Sequence, residues 1–296
     1  MIARTLKGIS QALTHLNPHE VRRAARRPLS IGLTASYGES LAAFEEFLAP
    51  VRLPREHRVE ALQCLIRLNE QSAPRPCDFE ICEPGTMHAR DAYVLDLNNP
   101  QPAIREIVAD HEELHLPLAR LFPPFRDEVC RHIVRRVCRE NTFFCLATAL
   151  PNVVPSFLTL PWALGEFASD TAFLTANQIR MAFLLAAASN RPVGYAEQKS
   201  EIASIVAGAF GWRALARELV GKAPLGGGLI AKSAVAYAGT WVVGRSIERL
   251  YRLGYGLSRQ ERRSEYSIAY ERGRQFAAAL LENLRKTGTE SRIPTC

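Results

Sequence analysis

Between residues 141 and 165 the chain carries no charged side chain, and 32 of its 37 cationic residues are arginine, so lysine is nearly absent. The seven cysteines (Cys64, Cys77, Cys82, Cys130, Cys138, Cys145 and Cys296) contain no Cys-x-x-Cys pair and are odd in number. That points to neither a zinc ribbon nor a disulfide framework and fits a reducing compartment. The 18 glycines and 18 prolines follow no fixed period, which excludes a collagen-like or coiled-coil fibre. At 47% hydrophobic residues the chain is too apolar for a disordered segment. Residues 1–16 lack the uncharged apolar core of a secretory signal.

What charge there is lies unevenly. Residues 141–256 hold 16 charged side chains in 116, whereas the other 180 residues hold 51. The net charge of +7 is mild for 296 residues. Its densest clusters are Arg22, Arg23, Arg26 and Arg27, and then Arg131, Arg135, Arg136 and Arg139. A nucleic-acid interface would interleave such a patch with aromatics, and these clusters do not, so no nucleic-acid partner is expected. The second cluster stands at the entrance to the charge-poor block, as a cytoplasmic membrane flank does. A solvated helix face has the same composition.

Periodicity divides the chain into segments. Ile2, Leu6, Ile9, Leu13 and Leu16 form one stripe of an amphipathic helix, packed on the body or laid on a membrane. Asn17-Pro18 opens a second helix that Pro28 ends. Leu29–Ala35 reads as a buried strand, 39–48 as a helix, and 55–70 as another with Val59, Leu62, Leu65, Ile66 and Leu68 inward. Residues 77–82 and 92–97 read as two more strands, joined through the turn Glu83-Pro84-Gly85. Residues 102–115 predict a helix ended by Pro117. Beyond Pro124 only helices are expected: 125–150, 159–190, 197–220 and 229–245, with a turn at Gly226-Gly227-Gly228. The last, 258–286, opens on the capping box Ser258-Arg259-Gln260-Glu261, with Gly288 past its end. Arg180, in an apolar helix, needs a partner, and Glu166 and Asp170 are the nearest acids in sequence.

Three motifs bear on chemistry. Gly32-Leu33-Thr34-Ala35-Ser36-Tyr37-Gly38-Glu39-Ser40 lies between strand and helix, where a phosphate loop lies, making Gly32, Gly38 and Ser40 the candidate phosphate contacts. The spacing is one residue too long, and Glu39 stands in the place of the lysine that neutralises phosphate. His111-Glu112-Glu113-Leu114-His115 has the His-Glu-x-x-His spacing that puts two imidazoles one helical turn apart around zinc, with Glu112 as base. Glu113 inside it, Pro117 just after it and the lack of a patterned third ligand (His132 and Glu140 are nearest downstream) favour a solvated acidic helix end. Gly38-Glu39-Ser40-Leu41-Ala42 misses the final glycine of a hydrolase nucleophile elbow.

The segment Cys82-Glu83-Pro84-Gly85 is similar to the Asp-x-Pro-Gly strand end of small GTPase-like domains, whose Asp helps hold Mg²⁺; here the Asp position is Cys82. No Asn-Lys-x-Asp guanine-reading motif follows. Residues 125–256 resemble a bacterial YcjF-like, membrane-associated domain of unknown function found attached to GTPase-like domains. The resemblance is carried by Leu150-Pro151-Asn152-Val153-Val154-Pro155, by the segment from Leu174 to Met181 (LTANQIRM), and by the segment from Ala236 to Arg245 (AYAGTWVVGR). It implies a membrane-associated helical module downstream of a GTPase-like domain.

The expected fold is therefore α/β plus all-α: a small degenerate P-loop-like layer followed by a helical hairpin bundle. The expected segments are 1–122, 123–256 and 257–296. The expected function is a non-catalytic scaffold or interaction protein, in the cytoplasm or on the cytoplasmic side of a membrane. Its partners would be proteins or membrane lipid, and no cofactor or catalytic residue is implied. A zinc-dependent hydrolase built on His111, Glu112 and His115, and a nucleotide-responsive switch, are the alternatives. The prolines at 151, 155 and 161 interrupt any straight spanning helix, so the charge-poor block is either a membrane-dipping hairpin or a buried core.

Overall fold

A computed structural model of the chain describes residues 16–68, 76–86, 91–148, 170–208 and 227–290. It divides into two units. The α/β unit comprises His19–His132 and Ala186–Val193; the helical unit comprises Met1–Pro18, Ile133–Leu185 and Gly194–Cys296. Ile2, Leu6, Ile9 and Leu13 of the N-terminal stripe and the segment 150–155 lie outside the described residues.

In the α/β unit, α1 (Pro18–Ala25) begins on the proline that suits a first helical position. It leads into β1 (Ile31–Thr34), α2 (Gly38–Leu48) and α3 (Arg55–Gln63). The helix expected to run to residue 70 stops at Gln63, and Leu65–Arg67 form a strand, β2. β2 pairs in parallel with β1, Ile31 opposite Leu65. β3 (Phe79–Cys82) lies on the other side of β1, and β4 (Tyr93–Val94) pairs with β3. Among the described residues the sheet is thus four-stranded and all parallel, in the order β2-β1-β3-β4, one strand more than the sequence suggested. Parallel strands are buried on both faces; Ile31, Leu33 and Ile81 on one face and Cys82 on the other are accordingly fully buried.

After β4, α4 (Gln101–Asp110) ends at His111. A 3₁₀ turn (Glu112–Leu114) follows, and then α5 (His115–Leu121). Pro117 does not end a helix. It occupies the first turn of α5, where a backbone N–H has no partner to lose. α6 (Pro123–Ala147) belongs to this unit as far as His132. The stretch Ala186–Val193 closes the unit: α7 (Asp170–Ala188) ends with Asn190 at φ 52°, the Arg191 N–H bonded to the Ala186 carbonyl at 2.9 Å. That is the left-handed helix stop that Asn tolerates. Arg22 donates to the Val193 carbonyl at 2.7 Å and fixes the stretch to α1.

The helical unit is built from the later part of α6, most of α7, a helical stretch at 199–208, α8 (Gly227–Leu253) and α9 (Arg259–Glu290). Gly227 and Gly228 start α8 rather than forming a turn, and α9 continues through Gly288. The capping box forms as read: Ser258 N–H donates to the Glu261 carboxylate (2.8 Å) and Glu261 N–H to Ser258 Oγ (3.3 Å). α7 is buried along nearly its whole length. A helix apolar on all sides belongs in a core, and here Phe173 stacks on Phe144 at 3.8 Å between centroids. No described helix is long and apolar enough to cross a membrane.

Small residues set the helix spacing. A Cβ at Gly244 would stand 2.7 Å from a Val134 methyl and 3.0 Å from Met181 Sδ. One at Gly273 would stand 2.7 Å from Tyr237 Cβ and 3.2 Å from Ala234 Cα. α8 and α9 thus approach closely, joined by a turn with Gly254 at φ +85°.

Candidate functional site

The chain passes from β1 to β2 on one side and returns past β1 to β3 on the other, so its switch point lies at the carboxyl ends of β1 and β3. Open α/β sheets hold ligands in this crevice. The candidate phosphate loop and the turn at Glu83 meet there. Gly32 is not part of the loop. It sits within β1, where an added Cβ would meet Leu68 Cδ1 at 2.6 Å and Cys77 Sγ at 3.3 Å. Gly38 is the first residue of α2, and its Cβ position is open. Ser40, in the first turn of α2, donates from Oγ to Glu83 Oε1 at 2.8 Å.

Glu83 organises the crevice. Its other oxygen accepts from the Ser36 backbone N–H at 3.2 Å, and Ser36 Oγ lies 3.3 Å from Thr86 Oγ1. Thr34 Oγ1 donates to Glu80. A helix N-terminus presents unpaired N–H groups and the positive end of the helix dipole, which favours an anion. Here two carboxylates of the chain itself, Glu39 in the first turn and Glu83 across the crevice, supply that charge. Tyr37, the residue before α2, makes no side-chain cap and is 74% exposed. Cys82, the last residue of β3, is fully buried, and burial pushes its thiol up, so it is neither an anion nor a hard-metal ligand.

The histidine motif does not form a zincin helix. His111 caps the end of α4, and His115 starts α5 beyond the 3₁₀ turn, so one continuous helical face never carries both. His111 stacks on Phe79 at 5.0 Å, and its Nε2 lies 3.1 Å from the Tyr93 hydroxyl. His115 turns the other way: its Nε2 lies 2.6 Å from the Val108 carbonyl and its ring 4.5 Å from that of His132. Burial and the Asp110 hydrogen bond push Tyr93 up to about 12. Among the described residues no three His, Cys, Asp or Glu side chains gather to hold a metal.

The helical unit holds a buried polar cluster that the sequence did not reveal. Arg180 pairs with Glu140, and its Nε donates to Asn177 Oδ1 at 2.9 Å; Glu166 and the Asp170 side chain lie outside the described residues. Asn177 Nδ2 donates to Asn141 Oδ1 (2.8 Å) and Glu140 Oε2 (3.0 Å). Thr240 Oγ1 accepts from Asn141 Nδ2 (2.8 Å) and Gln178 Nε2 (3.1 Å). α6, α7 and α8 each contribute, and Asn141 and Thr240 are wholly inaccessible to solvent. The available signal was chemical: Asn, Gln, Thr and Arg inside otherwise apolar helices. Such a cluster fixes which residues face one another across three helices.

No protein-family model, curated protein or solved structure matches the chain.

Proposed function

We propose that this chain is a non-catalytic interaction protein whose α/β unit keeps the frame of a nucleotide-binding, P-loop-like crevice without its chemistry. The observation that carries the reading is the seat of Glu83. Its carboxylate takes the Ser36 N–H and the Ser40 hydroxyl, the two donors a phosphate would need at this loop. A phosphate entering there meets Glu39 and Glu83 with no lysine to offset them, and no carboxylate at position 82 to hold Mg²⁺. Phosphoryl transfer depends almost wholly on such positioning and charge compensation, so its loss removes the activity while leaving a rigid sheet. What remains is a folded platform that works by contact, in the cytoplasm or at the cytoplasmic face of a membrane. Calorimetric titration of the full chain with Mg-GTP and Mg-ATP to 1 mM tests this. No binding heat is expected. A saturable isotherm below about 100 μM would replace the reading with a nucleotide-responsive switch.

A further inference from the structure

The charge of the protein is not shared evenly between its units. The helical unit holds 22 Lys and Arg against 12 Asp and Glu, whereas the α/β unit holds 15 against 18. The basic excess therefore belongs entirely to the helical unit. Part of it gathers on one face where α6, α8 and α9 meet. Arg135 and Arg139 are exposed one helical turn apart on α6. The Arg139 guanidinium lies over the Phe276 ring of α9 at 5.8 Å, and Phe276 adjoins Tyr237 of α8. The Arg272 guanidinium lies over the Trp241 ring at 5.8 Å. Burial pushes the Tyr237 phenol up, and Arg139, Arg272 and Arg135 draw it back down, which places all three within electrostatic reach of one ring.

We infer that this face, built on Arg139 and Arg272 with Arg135 beside them, docks an acidic segment of a protein partner. The inference rests on the reading of the protein as one that works by contact, and it names the partner's chemistry. Arginine is a planar fork that pairs a carboxylate through two parallel N–H bonds, and a guanidinium already laid on an aromatic ring loses little freedom when it does so. Arginine and aromatic residues together are also the side chains that dominate protein interfaces. Ile268, one turn before Arg272 on α9, is 50% exposed and offers an apolar contact next to the charges. An anionic bilayer reads charge with little regard to fork geometry, so lysine serves there as well as arginine. The distinction between the two guides the test.

Fluorescence anisotropy of the full chain with two synthetic helical peptides decides it. One carries Glu pairs four residues apart flanked by Leu; the other has every Glu replaced by Gln. The Glu peptide is expected to bind saturably below 1 mM and the Gln peptide not to. R139Q/R272Q is expected to weaken binding about 100-fold, near tenfold for each charged fork removed. R139K/R272K, which keeps the charge and loses the fork, is expected to recover only part of that loss, with an unchanged melting temperature in both variants. Equal binding of both peptides, full rescue by the lysine variant, or no binding of the Glu peptide overturns the inference. Binding to vesicles of 70:30 phosphatidylcholine and phosphatidylglycerol without binding to the Glu peptide also overturns it and assigns the face to lipid. These outcomes are independent of nucleotide calorimetry, so this inference and the reading of the crevice fail separately.

Discussion

Replacing Thr240 by valine removes one oxygen and nearly conserves shape. That oxygen accepts two buried hydrogen bonds, from Asn141 at 2.8 Å and Gln178 at 3.1 Å. Without it, two amide donors are left in a site where Asn141 and Thr240 are 0% exposed and Gln178 is 7% exposed. A buried donor left unpaired costs about 1–3 kcal/mol, and valine recovers a little by packing, so a net loss of about 3 kcal/mol is expected. At the scale of this unit that lowers the melting temperature by roughly 6–12 °C. Thr240→Ser keeps the hydroxyl and gives up one methyl, at about 1 kcal/mol, so serine is expected to be the milder change. The ordering runs opposite to the one hydrophobic burial alone predicts, where valine beats serine at a buried site. A double variant with Asn141→Leu removes one of the stranded donors together with its acceptor, and is expected to cost less than the sum of its parts. Urea denaturation of the parent, the three single variants and the double variant measures all of this. If Thr240→Val unfolds within 0.5 kcal/mol of the parent, or serine costs more than valine, the cluster is not the buried network described.

Two further outcomes follow from packing and titration. Gly273→Ala should destabilise by about 1–3 kcal/mol although alanine is the better helix former, because its methyl would stand 3.2 Å from the Ala234 backbone and 2.7 Å from Tyr237 Cβ; thermal melting that shows a gain instead would refute the close approach of α8 and α9. His57 is 9% exposed, and burial holds its pKa below the usual histidine value, so the folded α/β unit resists its protonation. The stability linked to it is therefore full above about pH 6.5 and lost as pH falls below that, and His57→Gln should flatten the slope of urea stability between pH 7 and 5. Glu60 does not confuse the reading, because its hydrogen bond with Arg120 lowers its pKa and confines its own contribution to more acid pH.

The sequence carried local signals well and tertiary ones poorly. The capping box at Ser258 and Glu261 needs only residues three apart, and it forms as read. β2 went unread because Leu65 and Ile66 continue the helical period of Val59 and Leu62. Only pairing with β1, 34 positions earlier at Ile31 and Leu65, makes the segment a strand. Pro117 reads as a helix stop in the sequence, which shows that proline breaks helices but not which turn it occupies. Glu140, which pairs with Arg180, lies 40 residues away, so that contact comes from the packing of α6 on α7 and not from local spacing. In the crevice, an acid at the start of α2 (Glu39) and a thiol at the end of β3 (Cys82) are legible in the sequence. The seat of Glu83 is not legible in the sequence, because it depends on a turn that folds it back toward Ser36 and Ser40.

The seat of Glu83 is tested most directly by following the Ser36 backbone amide by NMR. The account predicts a downfield amide resonance that moves upfield in Glu83→Gln, as a charged acceptor is exchanged for a neutral one, and that stays in place when Mg-GTP or Mg-ATP is added to 1 mM. A Ser36 resonance indifferent to Glu83→Gln, or one that shifts saturably with nucleotide in the parent protein, would contradict it.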